Sequence, residues 1–157
     1  QLVSEESKQN SVGRDFVLTR LVEIMLIEAL RATNRADVPA GLLRGLADAR
    51  IEPAIRQMHS QMARSWTVAQ LAKTAALSRS AFFDRFTRTV GMPPMEYRQL
   101  WRMAVARDLL RRGNLGLAQI AECVGYASAS AFSTAFTRYA GQPPSHYARV
   151  SRQGQKS

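Results

Sequence analysis

Residues 67–90 read TVAQLAKTAALSRSAFFDRFTRTV, two short helical patterns around a turn, and the chain writes this stretch twice. Residues 68–97 align with residues 117–147 when one extra residue, Ala127, is allowed in the second turn, and fourteen of the thirty aligned pairs are then identical. The identities include Gln70/Gln119, Ala72/Ala121, Ser78/Ser128, Phe82/Phe132, Phe86/Phe136, Arg88/Arg138, Gly91/Gly141 and Tyr97/Tyr147. Two copies are too few for a solenoid, so the pattern is a duplicated module.

In the first copy Val68, Leu71, Ala72 and Ala75 form an apolar helical stripe. Ser78 can cap the next helix, on which Phe82 and Phe86 sit four apart and face one core until Gly91 stops it. The second copy repeats this with Ile120, Ala121 and Val124, Gly125-Tyr126 in the turn, Ser128 as cap, and Phe132 and Phe136 inside. Each copy has the layout of a helix-turn-helix. With the phenylalanines inward, a step of about 100° per residue puts Ser80, Asp84, Thr87 and Arg88 on the solvent face, with Arg79 and Phe83 on its flank. The equivalent set is Ala129, Ser130, Ser133, Thr134, Thr137 and Arg138. Short polar side chains and arginines at the front of such a helix suit a major groove, where they meet base edges and phosphates. The candidate DNA-binding residues are therefore Ser78, Arg79, Ser80, Phe83, Asp84, Arg85, Thr87 and Arg88 in the first copy, and Ser128, Ala129, Ser130, Ser133, Thr134, Thr137 and Arg138 in the second. The competing reading is an ordinary solvated helix face.

The run Ile120-Ala121, Gly125-Tyr126, Ser130, Phe132, Phe136, Gly141, Pro144, Tyr147, Arg149 resembles the signature of the AraC/XylS family of bacterial transcription regulators, over residues 51–150. In that family the DNA-binding domain holds two helix-turn-helix motifs, and a cupin-type effector domain often precedes it. The resemblance implies double-stranded DNA and RNA polymerase as partners, an activator's role and a cytoplasmic, nucleoid-associated location. Pro143 stands where the family usually has Ser or Thr, and Asp84 and Thr134 stand where an arginine is common.

Charge agrees with a nucleic-acid partner. Residues 1–50 hold seven Lys/Arg and seven Asp/Glu, whereas residues 51–157 hold fifteen and five, so the whole formal charge of +10 lies in the second part. Nineteen of the 22 basic residues are arginine, which favours phosphate and guanine recognition. Trp and Leu follow globular spacing, which argues against a membrane-surface helix. The chain has no Gly-rich phosphate loop, paired catalytic carboxylates or metal-ligand cluster, so neither an enzyme nor a cofactor is expected. A non-specific nucleoid or RNA-binding helical protein is the alternative that charge alone would allow.

The expected fold is all-α, with two helix-turn-helix units at about 68–89 and 117–140, a linker helix at about 94–112 and seven helices in residues 51–150. A helical extension over residues 1–50 precedes them and a basic, mobile tail, 151–157, follows. Beginning with Gln1 and no signal sequence, the chain is expected to be a fragment of something longer. Residues 16–32 form a strongly apolar helix that either packs on its own chain or makes a homodimer or interdomain contact. Residues 33–39 read as a linker, and residues 40–47 as a short helix that Pro39 could start. The linker helix carries Tyr97, Trp101, Val105 and Leu109 in one row, while Arg98, Arg102, Arg107, Arg111 and Arg112 are divided between a solvated face and phosphate contacts. His59 is expected to be a partly packed surface histidine. Lone Cys123 excludes a disulfide framework, points to an intracellular compartment and is expected to be a small buried side chain.

Overall fold

Where each helix begins and ends follows from a few capping residues, seen in a computed structural model that describes residues 41–154. Helix α1 spans Leu42–Ala47 and α2 spans Glu52–Ser60, with a proline in its first turn. Helix α3, Val68–Thr74, starts at a capping box: Gln70 N–H donates to Thr67 Oγ1 at 3.2 Å, and Thr67 N–H donates to Gln70 Oε1 at 3.0 Å. Ser78 caps α4, Arg79–Val90, by accepting from Ala81 N–H at 3.2 Å, and Gly91 ends it in the left-handed region. Pro94, pre-set for a first turn, opens α5, Pro94–Arg112. Helices α6, Leu117–Cys123, and α7, Ala129–Ala140, repeat the α3–α4 pattern, with Ser128 accepting from Ala131 N–H at 3.0 Å. Helix α8 spans Pro144–Gly154.

Among the described residues all regular structure is helical. Seven of these helices lie within residues 51–154, as the hydrophobic spacing predicts. Residues 151–154, expected as a mobile tail, instead continue α8. The expectations for residues 16–32 and 33–39 lie outside the described residues.

The duplication extends to the packing of rings. Phe82 and Phe86 have centroids 5.6 Å apart, and Phe86 meets Tyr97 edge-on at 5.7 Å. The second copy places Phe132 against Phe136 at 5.6 Å and Phe136 edge-on to Tyr147 at 5.5 Å. All four phenylalanines are fully buried. Around them stand two separate apolar cores. The N-terminal lobe uses Ile51, Ile55, Met58 and Leu71; the C-terminal lobe uses Met103, Ala106, Leu110, Ile120 and Val124.

Helix α5 serves both lobes, and its nineteen residues give a strut of about 28 Å. The single row read from the sequence is therefore incomplete. Tyr97 and Trp101 are buried on the first lobe, where Trp101 stacks on His59 at 3.6 Å and the Tyr97 hydroxyl lies 2.7 Å from His59 Nε2. Toward the second lobe the buried residues are Met103, Ala106 and Leu110, while Val105 and Leu109 are half-buried, because the apolar face must turn from one core to the other.

Helix α1 is fastened to the end of α4 by polar contacts. Arg85 Nε and Nη2 donate to Asp48 Oδ2 and Oδ1 at 3.0 and 3.1 Å, and Arg44 Nε donates to the Thr89 carbonyl at 3.3 Å. Burial alone would raise the Asp48 carboxyl, but hydrogen bonds from Arg85 and from the Arg50 and Ile51 N–H groups outweigh it and hold it below its ordinary value of 3.8. The folded state thus favours the carboxylate. Its contribution is full above the ordinary value and is lost as pH falls through the lowered one. Because Arg85 is partly exposed, Asp48→Asn is expected to cost only about 0.5–1 kcal/mol at neutral pH. In urea unfolding, the gap between variant and wild type should shrink when the comparison is repeated at about pH 3. A gap that stayed constant would assign the cost to packing rather than to charge.

Candidate nucleic-acid interface

Burying Phe82 and Phe86 turns the opposite side of α4 outward. Arg79, Ser80, Asp84 and Arg88 are exposed, and Phe83 keeps 40% of its surface in solvent. Neither Arg79 nor Arg88 makes an ion pair within the described residues, so both guanidiniums are available to an outside anion. Val68, Ser78, Arg79, Ser80, Phe83 and Asp84 line a shallow recess between the start of α3 and the first turns of α4. It combines an apolar ring and methyls with a cation and an acceptor, the mixture that a base edge and a thymine methyl require. Val68 was read as part of the core stripe; its half-buried position makes it a wall of this recess as well.

Two members of the first set are placed differently from expectation. Arg85 does not stand free on the outer face, because its Nε–Nη2 edge is taken by Asp48, which leaves Nη1 on a side chain that is still partly exposed. That acid lies thirty-seven residues away in the chain, beyond the reach of helical-periodicity reasoning. Thr87 is half-buried, with its hydroxyl oxygen enclosed and unpaired within the described residues. One step past Phe86, it falls at the edge of the core.

On α7, Ser130, Thr134, Thr137 and Arg138 are exposed, while Ala129 and Ser133 are half-buried. Two hydroxyls are committed to the helix itself, since Thr134 Oγ1 donates to the Ser130 carbonyl at 3.1 Å and Thr137 Oγ1 to the Ser133 carbonyl at 2.7 Å. Each keeps only acceptor capacity for a ligand. Ser78 and Ser128 act first as caps.

The arginines of α5 do not share one environment, and two of the five are withdrawn from solvent. Arg98 and Arg102 are buried and donate to backbone carbonyls. Arg107 Nε donates to the Tyr147 hydroxyl at 3.1 Å, and Arg111 and Arg112 pair with Asp108. Cys123, expected to be buried, is exposed at the end of α6 because the apolar stripe passes through Ile120, Ala121 and Val124 instead. Among the described residues, no group of His, Cys, Asp and Glu could hold a metal ion, and no helix is long and apolar enough to cross a membrane.

A family model described as a helix-turn-helix domain matches residues 71–150, half of the chain. An AraC-like transcription regulator of Streptomyces lividans is 44% identical over 128 residues, covering 80% of this chain and 42% of that protein. The chain belongs to the AraC/XylS family. The RCS-specific transcriptional activator RclR of Escherichia coli is 30% identical over 127 residues, covering 80% of this chain and 45% of RclR. Among solved structures, the DNA-binding domain of AdpA, a global transcriptional factor crystallised with a target DNA, superposes with a TM-score of 0.63 at 24% identity, over 70% of this chain and 98% of that domain. The chain thus spans less than half the length of the curated relatives it matches.

Within the family's frame, the departures from its usual pattern acquire a location. Asp84 is exposed in the recess of α4, and Thr134 is exposed on α7 with its proton bound internally. Pro143 stands immediately before α8 and leaves that helix intact.

Proposed function

We propose that this chain is the DNA-binding part of a sequence-specific transcription regulator, with α4 and α7 entering successive major grooves on one side of the duplex. The observation that carries this reading is the pair of equivalent helix-turn-helix units on one strut, each with a polar, arginine-bearing face turned outward. A strut of about 28 Å is of the same order as the roughly 34 Å between successive grooves. The chain then binds as a monomer to an asymmetric site. An activator's contact with RNA polymerase and a cytoplasmic location extend the reading from the relatives, RclR among them, to this protein.

Duplexes selected from a random pool provide the test. At physiological salt they should bind about 10³-fold or more tighter than unrelated DNA. Equal competition by unrelated duplex would instead identify a non-specific nucleoid or RNA-binding protein, the class that charge alone allows.

A further inference from the structure

The turn of the second helix-turn-helix lies against the first lobe. Gly125, with φ of +79°, approaches the chain that leaves α2 so closely that an added Cβ would stand 2.9 Å from Ala63 Cα and 3.0 Å from its carbonyl oxygen. The same position in the first copy is Ala76, which also has positive φ, +53°, and is exposed. Left-handed backbone is therefore shared by both turns and tolerates alanine in one. The close approach to residues 62–63 is what demands glycine in the other.

Two buried arginines one turn apart on α5 bind the two sides of this contact. Arg98 Nη2 donates to the carbonyls of Met62 and Arg64 at 3.3 and 2.6 Å, on the first-lobe side. Arg102 donates from Nε to the Val124 carbonyl and from Nη2 to the Gly125 carbonyl at 2.8 Å, on the second-lobe side. Its guanidinium lies 4.0 Å over the Tyr126 ring, and Gln99 Nε2 donates to the Tyr126 hydroxyl at 2.7 Å. Neither arginine pairs with a carboxylate among the described residues. Their partners are carbonyls of the turns that follow α2 and α6; Arg102 engages them with two donors of its rigid fork, and Arg98 with Nη2 alone, its Nε being buried without a partner among the described residues.

We propose that Arg98, Arg102 and Gly125 are positioning residues that lock the rotational setting of α7 relative to α4, and so determine which spacing between the two half-sites the protein accepts. This rests on the DNA-binding reading above. A cation face for phosphates would be exposed, whereas these groups are turned inward and spent on backbone. Apolar packing between the lobes, where Met62 meets the C-terminal core, fixes no direction, whereas these bonds tie the backbone on each side of the contact to the same helix.

The test compares the full chain with its Arg102→Met, Arg98→Met and Gly125→Ala variants on the duplex selected by wild type, and on versions with one base pair inserted or removed between the halves. Each such change rotates one half-site by about 35° relative to the other. Wild type should lose about tenfold or more in affinity on each altered spacing, comparable with a mismatch at a read position. Arg102→Met and Arg98→Met should reduce that preference to about threefold or less, with Arg102→Lys between them and wild type. Gly125→Ala, acting as a wedge, should move the preferred spacing. If the variants bind every spacing more weakly by one common factor, the residues only support the fold and the proposal is overturned. Failure of wild type to prefer any selected duplex would refute the DNA-binding reading itself, a separate outcome.

Discussion

Phe136→Ala is expected to destabilise the C-terminal lobe by about 3–5 kcal/mol, the largest effect of any single truncation considered for that lobe. The side chain is fully buried between Phe132 and Tyr147, and its removal leaves a cavity in a core of few residues. A loss of that size is a large fraction of the roughly 5–15 kcal/mol available to a domain. Both tryptophans report the other lobe: the Trp66 indole N–H donates to the Gln61 carbonyl, and Trp101 stacks on His59. In Phe136→Ala the loss of helical dichroism should therefore precede the change in tryptophan fluorescence on heating. Phe86→Ala, at the matching place in the first lobe, should shift the fluorescence transition first. A cost below about 1 kcal/mol at either position would contradict the assignment of these rings to the cores.

The second large effect concerns unequal reading by the two helices. Helix α4 presents Arg79 in its first turn, where recognition helices meet base edges, with Phe83 and Asp84 beside it and Arg88 in the last turn. A bidentate arginine–guanine contact is open to it. Helix α7 presents no arginine before Arg138, and the hydroxyl protons of Thr134 and Thr137 are bound to their own helix. Arg79→Ala should thus weaken specific binding by about 1–3 kcal/mol and relax selection at one base pair. Ser133→Ala and Thr134→Ala should each cost less than about 1 kcal/mol, the size of a weak polar contact. Asp84→Asn should strengthen binding to all duplexes, because an exposed carboxylate repels phosphate. Titrations of labelled duplex with each variant check these values, and a Thr134→Ala loss equal to that of Arg79→Ala would refute the asymmetry.

What could be read without coordinates was local in the chain. Caps such as Ser78 and Ser128, the stops at Gly91 and Gly141, and phenylalanines four apart all act within one or two helical turns, so the sequence itself carries their signal. The duplication carried more, since it placed two equivalent units on one linker helix. Contacts distant in sequence were missed. Asp48 holds one edge of the Arg85 guanidinium, and Arg98 and Arg102, charged residues on a linker helix, are turned inward onto carbonyls of two lobes. An arginine's long stem and many donors suit a phosphate and a backbone carbonyl equally. Only packing decides between them. The textual trace was Gly125 opposite Ala76, a difference between copies at a turn that the second copy also lengthens by Ala127.

The most direct measurement is binding to a panel of duplexes, each changed at one base pair across the selected site. Two blocks of sensitive positions are expected, centred about one helical turn apart, with penalties of about 1–3 kcal/mol per pair under α4 and clearly smaller ones under α7. A single block, or penalties as large in the α7 half as in the α4 half, would contradict the account.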